Sequence, residues 1–568
     1  MRADLIAVAR GDAPPDLVIT GAHVFSAFTC EWLETDVALV GGVIAGLGEY
    51  DGGERVDANG QYLVPGFIDA HVHIESSKLV PAEFARAVVP HGTTAVVTDP
   101  HEVANVLGPE GVEWMLAASE DLPLDVFVMA PSCVPASHFE SPGCAFEPAD
   151  MEAILRHPRA LGIAEMMNFP GVIGGDPAVL SRFEVAGASH VDGHAPGVTG
   201  RGLNAYVAAG VRSDHEATTY DEALEKRRLG MWVLIREASN AHNLRDLLPV
   251  VKRFGPEHCA FCTDDREPDL LFREGHIDQM CRIAVQEGIR PEHALLMATL
   301  HPARAHRLMD RGAIAPGLRA DLVLLDDLET FRPACVWKDG RLVAAGGSAE
   351  PFAAAAIPDR LRSTMRSGAV GAEDFAIPAA GTGRVRVIEI IPGQLITHAR
   401  EEEPTIRDDA IVADPDGDVA KIAVVERHHE TGRIGKGLVR GFGLRTGAFA
   451  STVAHDAHNV VIVGTTDADM AACAARLQEI GGGIVVARDG TVRGELPLPV
   501  AGLLSDQPVE DVVTCLEALQ DMLRDQGVRD SAPFMTLSFL ALSVIPALKI
   551  TDRGLVDVER FELVPLAV

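Results

Sequence analysis

Between residues 67 and 264 short apolar runs recur eight times, and the stretches between them carry helical spacing. The runs are 67–73 (FIDAHVH), 95–99 (AVVTD), 124–129 (LDVFVM), 161–165 (LGIAE), 190–194 (HVDGH), 211–215 (VRSDH), 232–237 (WVLIRE) and 260–264 (AFCTD). Seven of the eight end in an ionisable residue. In the intervening stretches Ile277, Met280, Cys281 and Ala284 fall at i, i+3, i+4 and i+7, while Val112, Met115 and Leu116 open a similar stripe. Those stripes read as helix faces packed on a sheet. A doubly wound open sheet and a closed barrel both accommodate eight strand–helix units. A (β/α)8 TIM-like barrel would also gather the ionisable run ends at one C-terminal mouth, so the barrel is the expected fold.

Strand texture with glycine turns flanks this middle on both sides. It occurs at 17–20 (LVIT), 36–45 (DVALVGGVIA), 320–325 (ADLVLL) and 341–345 (RLVAA). A small flanking β-sandwich domain built from residues 1–64 and 311–350 around a catalytic barrel of 65–310 is expected. The Ala/Pro-rich passage 350–358 reads as a linker, and 360–568 mixes strands such as 460–463 (VVIV) with helices such as 467–477, an α/β domain.

Asp+Glu number 82 against 49 Lys+Arg, a net charge of −33. That balance repels phosphate backbones and anionic lipid, so neither a nucleic acid nor a membrane is an expected partner. Residues 1–10 carry three charges and no signal-like apolar run. The uncharged stretch 531–548, broken by Pro533 and Pro546, reads as a buried core segment. Nine cysteines, an odd number thinly spread, fit a reducing cytoplasm better than a disulfide framework. A homo-oligomer is expected.

His71 and His73 stand at i and i+2 of one strand and can point to one metal ion. Glu165, His194, His215 and Asp264 end four other runs. Six nitrogen and oxygen donors at one rim, with no thiolate among them, suit two divalent ions sharing a carboxylate. Glu165 can bridge such ions directly, without a modified lysine. Imidazole and carboxylate admit Mn(II), Fe(II) or Zn(II), and spacing does not choose among them. Asp264, directly after the last run, is placed to take a proton from the attacking hydroxide and pass it to a leaving group. Asp99 and His101, beside Glu102 in 98–102 (TDPHE), and Arg236, Glu237 and Ser239 at the seventh run, are candidate substrate contacts. His428, His429, His455 and His458 with Asp456 form a second cluster, read as polar packing, with a second metal site or a loop over the substrate as alternatives. A competing H-x-E and C-x-x-C pattern, 73–75 with 259–262, has halves far apart and cysteines on opposite strand faces.

These residues carry a resemblance. The stretch 63–73 (LVPGFIDAHVH) is similar to the opening strand of the amidohydrolase superfamily. More closely, the chain resembles the adenine deaminase family at 65–77 (PGFIDAHVHIESS), 98–102 (TDPHE), 164–168 (AEMMN), 191–197 (VDGHAPG), 213–216 (SDHE) and 261–265 (FCTDD). Beyond the central segment it matches at 311–317 (RGAIAPG), 425–429 (VERHH) and 453–459 (VAHDAHN). The resemblance implies hydrolysis of the 6-amino group of adenine to hypoxanthine and ammonia. It also implies a two-metal centre, with Mn(II) the expected ion, Glu165 bridging, and a metal-bridged hydroxide as nucleophile. Mononuclear deaminases of the superfamily place their ring-nitrogen acid in a His-x-x-Glu; here the third residue after His194 is Gly197, and Glu102 is the expected substitute. Arg266-Glu267 departs from the basic pair that often follows Cys-Thr-Asp-Asp in the family, and whether Asp264 or Asp265 faces the metals stays open. Two rival readings are a cyclic-amide hydrolase of the dihydroorotase or hydantoinase kind, usually built on a carbamylated lysine where Glu165 stands, and a non-catalytic purine- or metal-binding paralogue.

Overall fold

Strands covered on both faces are rich in apolar residues, and the eight expected runs form eight parallel strands, almost all of whose residues are buried. They are β1 (Phe67–Val72), β2 (Thr93–Thr98), β3 (Asp125–Ala130), β4 (Ala160–Met166), β5 (His190–Gly193), β6 (Ser213–Asp214), β7 (Trp232–Arg236) and β8 (Cys259–Cys262). The computed structural model describes residues 2–187, 189–379 and 383–568.

The ladder is not one continuous sheet. Strands β5–β4–β3–β2–β1 form a parallel sheet of five, and β6–β7–β8 a parallel sheet of three. The two adjoin at both edges. Asp264, just past β8, bridges Val72 of β1 in parallel, its N–H donating to His71 O at 3.0 Å. At the other edge Arg212 N donates to Val191 O at 3.1 Å, and β6 is only two residues long. A side chain on Gly193 would meet Ser213 O at 2.3 Å, so glycine there permits the close approach of β5 and β6. Helices separate the strands. In Ile277–Gln286 the stripe Ile277, Met280, Cys281 and Ala284 is fully buried, as the sequence spacing predicts.

The flanking segments join in a single nine-stranded sheet, not in two separate ones. Strand Tyr62–Pro65 pairs antiparallel with Leu322–Leu325, and this pairing knits the two distant segments together. A buried charge cluster ties that sheet to β3: Lys338 Nζ lies 2.9 Å from Asp125 and 3.0 Å from Asp321, and Arg311 Nη1 lies 2.5 Å from Asp125.

Beyond residue 383 an eight-stranded sheet is flanked by helices Asp467–Ile480 and Val509–Asp525. The first starts at Thr466, whose hydroxyl accepts from Asp469 N, and stops at Gly481 in the left-handed region (φ 79°), three residues beyond the expected end. Helix Pro533–Phe539 lies within the stretch expected to be core, and all but one of its residues are buried there. This C-terminal region docks on the loop after β3. Asp552 accepts from Ser141 N at 3.0 Å and Oγ at 2.8 Å, and the Ser137 and Ser543 hydroxyls meet at 2.7 Å. No described helix is long and apolar enough to cross a membrane.

Candidate metal centre

Strand alternation sends His71 and His73 to the same side of β1, and their Nε2 atoms lie 3.1 Å apart. Asp264 Oδ1 stands 3.2 Å from His73 Nε2 and 3.6 Å from His71 Nε2. Glu165, at the end of β4, divides its carboxylate. Oε1 faces His73 Nε2 at 3.5 Å, while Oε2 lies 2.6 Å from His194 Nδ1 and 3.1 Å from His215 Nε2. All six side chains are buried. The strand ends therefore bring together every residue expected to hold metal.

The donor set fits divalent cations. Four ligand atoms at about 2.1 Å around one ion lie about 3.4 Å from one another, close to the separations found here. His215 Nε2, which faces Glu165 Oε2, is buried and makes no hydrogen bond. Buried polar atoms seldom go unpaired, and converging imidazoles and carboxylates are what a cation pairs.

Electrostatics support the same arrangement. Burial alone would raise the Glu165 carboxyl, but the His194 and His215 rings outweigh it and hold it well below the usual range. Burial likewise opposes the Asp264 charge, and the His73 hydrogen bond and Arg236 reverse it. Arg236 Nη1 donates to Asp264 Oδ2 at 2.8 Å and pairs with Glu216, while Nη2 donates to Asn243 at 3.1 Å. Asp264 has a left-handed backbone (φ 55°), which an aspartate tolerates and which swings its carboxylate away from the line of β8. Behind it, Asp69 accepts from Thr263 N at 3.1 Å and lies 3.0 Å from His276 Nε2, joining the ends of β1 and β8.

A cavity of only about 20 Å³ opens on this cluster, far below the about 300–1,000 Å³ of ligand sites, so a base enters only as the wall gives way. A larger cleft of about 650 Å³ lies by Asp16, Asp121 and Asp339, away from any histidine cluster, so size does not identify the site. The chemical cavity is walled by His73, Glu165, His194, His215 and Asp264, with Glu216 and Asp265 beside them. His101, His455, Asp456, Met167, Phe539, Leu542 and Ile545 close the other side.

The expected substrate contacts divide. His101 lines the cavity, its Nδ1 3.1 Å from Asp99 and 3.6 Å from Glu165; Asp99 stands behind it. Arg236 is fully engaged with Glu216, Asp264 and Asn243, a brace and not a ring contact. Glu237 and Ser239 line a separate cavity with Arg266 and Asp269, because β7 ends at Arg236 and the chain turns outward. Glu102 is fully buried and does not line the chemical cavity. Ser76, on the turn Ile74–Ser77, donates to it at 2.9 Å and also contacts Asp265 from the cavity side. Glu102 therefore reaches the cavity only through Ser76 and through His455, whose Nδ1 lies 3.8 Å from the Glu102 Oε1.

The second histidine cluster also splits. His428 Nε2 donates to Ala457 O at 2.7 Å and His429 Nε2 to Pro142 O at 2.8 Å, which is polar packing. His455 and Asp456 instead enter the cavity wall. Sequence reasoning left Glu216 and Asp69 unassigned, although each stands one or two residues from a ligand histidine. That adjacency was the available signal. Both Asp264 and Asp265 reach the cavity, with Asp264 against the histidine pair. Cys259 and Cys262 are buried in β8 and unpaired.

Residues 62–343 match the Amidohydrolase family, and residues 394–562 match the Adenine deaminase C-terminal domain. The chain is 48% identical over 566 residues to adenine deaminase 2 of Carboxydothermus hydrogenoformans, covering 99% of each. It is 48% identical over 565 residues to an adenine deaminase of Desulfatibacillum aliphaticivorans, again 99% of each. An adenine deaminase of Methylobacterium nodulans is 48% identical over 562 residues, 98% of each.

Proposed function

This chain belongs to the adenine deaminase family, and from its site we propose that it hydrolyses the 6-amino group of adenine, yielding hypoxanthine and ammonia. The observation that carries the reading is the Glu165 carboxylate spanning two buried imidazole groups on the wall of a small cavity.

We take the eight parallel strands as a closed (β/α)8 barrel, supported by the contacts at both sheet edges. Domains of 1–64 with 311–350, 65–310 and 360–568 follow from that division. His71, His73, Glu165 and Asp264 would hold one divalent ion, and Glu165, His194 and His215 a second. Mn(II) is the first choice, with Fe(II) or Zn(II) accepted by the same donors. When bound, such ions lower the pKa of water so that a nucleophile is available at neutral pH. Asp264, its Oδ2 fixed by Arg236, keeps Oδ1 toward the reacting side. There it accepts the proton of the attacking water and returns it to the departing amine. Glu216 and Asp265 supply acceptors for N–H groups of the base. Phe539, Leu542 and Ile545 give an apolar face for a flat ring.

Among the described residues no lysine lines this cavity, and Glu165 occupies the place where a cyclic-amide hydrolase usually carries a modified lysine. The unpaired cysteines support a cytoplasmic setting, and a homo-oligomer is part of the same reading, checked by light scattering.

The test is ammonia release from adenine and a panel of amino-heterocycles and cyclic amides, with bound metal counted before and after chelation and Mn(II) return. Turnover of adenine that vanishes on chelation and returns with about two metals per chain supports the reading. Two metals without adenine turnover would refute the substrate.

A further inference from the structure

One buried polar atom on the cavity wall belongs to neither the metal donors nor their braces. His455 Nε2 makes no hydrogen bond, and its nearest charged neighbour, Asp265 Oδ1, is 3.6 Å away. The side chain is 3% exposed. Leaving a buried donor unfilled costs about 1–3 kcal/mol, so a site that keeps one open usually fills it with a ligand or a water.

The ring is held from three sides. Phe539 stacks on it at 4.5 Å between centroids and 20° between planes. Its backbone N–H donates to Ser538 Oγ at 3.2 Å, so ring and platform move together. Nδ1 faces Asp456 Oδ1 at 3.5 Å and Glu102 Oε1 at 3.8 Å. With carboxylates facing both nitrogens, each nitrogen carries hydrogen, and Nε2 presents an N–H to the cavity. His458 is a different case. Its Nδ1 accepts from Ala454 N at 3.1 Å, so its Nε2 holds the hydrogen and faces Glu102 at 4.0 Å, which disqualifies it as a metal ligand and leaves it behind the wall.

An aminopurine offers two kinds of group to such a cavity. Its N–H groups need acceptors, which Glu216, Asp264, Asp265 and Asp456 provide. Its ring nitrogens need a donor. His73, His194 and His215 belong to the metal donors. His101 Nδ1 lies 3.1 Å from Asp99 and 3.6 Å from Glu165, with Nε2 3.6 Å from Asp456, so three carboxylates face it. Among the described residues it has no ring stacked on it as His455 has in Phe539. We propose that His455, supplied by the C-terminal region, donates from Nε2 to a ring nitrogen of the purine. The inference rests on the adenine reading above. As water oxygen adds to the amine-bearing carbon, the C=N electron pair moves onto the ring nitrogen, so the bond from His455 is stronger in the transition state than in the ground state. That difference should appear in kcat as well as in KM.

The test compares wild type with His455→Phe, which keeps a ring against Phe539 but no donor, and with His455→Gln, which keeps an amide N–H. Kinetics on adenine are joined by metal counts and by binding of 1-deaza-, 3-deaza- and 7-deazaadenine to the metal-loaded proteins. Expected are a loss of about 100-fold in kcat/KM for the Phe variant, partial recovery with Gln, and unchanged metal content. 1-Deazaadenine, which lacks the ring nitrogen bonded to the amine-bearing carbon, should bind wild type and the Phe variant alike, while the other two lose affinity in the Phe variant. A Phe variant within threefold of wild type overturns the proposal, as does an equal loss for all three analogues. If neither variant folds, wild type decides alone: indifference to every nitrogen replacement overturns it. Wild type inactive on adenine but selective among the analogues sinks the reaction assignment and spares this contact; wild type that binds no purine sinks both.

Discussion

Arg236 is the cation on which two buried carboxylates depend, Glu216 and Asp264. Removing one partner of such a group leaves uncompensated charge and costs about 3–5 kcal/mol. Arg236→Met should lower the stability of chelator-stripped protein by that amount in urea unfolding. The loss should be smaller with metal bound, because a cation beside Asp264 replaces part of the lost charge; equal losses in both states would contradict this. Lys549 is the opposite case, a buried ammonium whose partners are only carbonyls, Leu395 O at 2.8 Å and Phe539 O at 3.0 Å. Burial pushes it from the usual 10.5 down to about 7. Below pH 7 both folded and unfolded states are protonated, and the folded state carries the whole cost of the buried charge. From pH 7 to 10.5 only the unfolded chain keeps the proton, so stability rises with pH across that window. Lys549→Met should abolish this rise, measured by urea unfolding at pH 7 and pH 9.5; parallel slopes for variant and wild type would refute it.

The eight-strand periodicity is readable because parallel strands covered on both faces are rich in apolar residues, and His71, Glu165, His194, His215 and Asp264 stand at run ends, which the fold brings together. Glu237 and Ser239 were misplaced because β7 stops at Arg236, and no sequence periodicity marks where a strand turns outward. The meeting of the two sheets was equally invisible. It depends on backbone approach at Gly193, where a Cβ would meet Ser213 O at 2.3 Å. Gly193→Ala should cost about 1–3 kcal/mol and weaken metal retention through the adjoining His194, whereas Gly174→Ala, which meets nothing within 4 Å, should do neither. Thermal melts with metal counts distinguish the two; equal behaviour would mean that the strand approach is adaptable.

A net charge of −33 makes the folded molecule repel itself. Raising sodium chloride from 0.01 M to 0.1 M shortens the Debye length from about 30 Å to about 10 Å, and the melting temperature should rise. A fall would show that surface ion pairs outweigh the repulsion. The buried Asp125–Lys338–Asp321 group that joins the flanking sheet to β3 is screened far less and should hold at both salts.

The succession of strands and the six candidate donors at their ends are set by local pattern, because alternation and strand direction act over a few residues at a time. Which residues face the substrate was decided elsewhere. His455, Asp456 and Phe539 reach the same cavity as Asp264 although some 190 to 275 residues separate them, a count that follows from their numbering. Glu102, close in sequence to Asp99 and His101, stands behind the cavity wall against Ser76 and His455. Contacts of that range come from docking the C-terminal sheet on the loop after β3, where a hydrogen bond such as that of Ser141 to Asp552 exists only once both surfaces are folded.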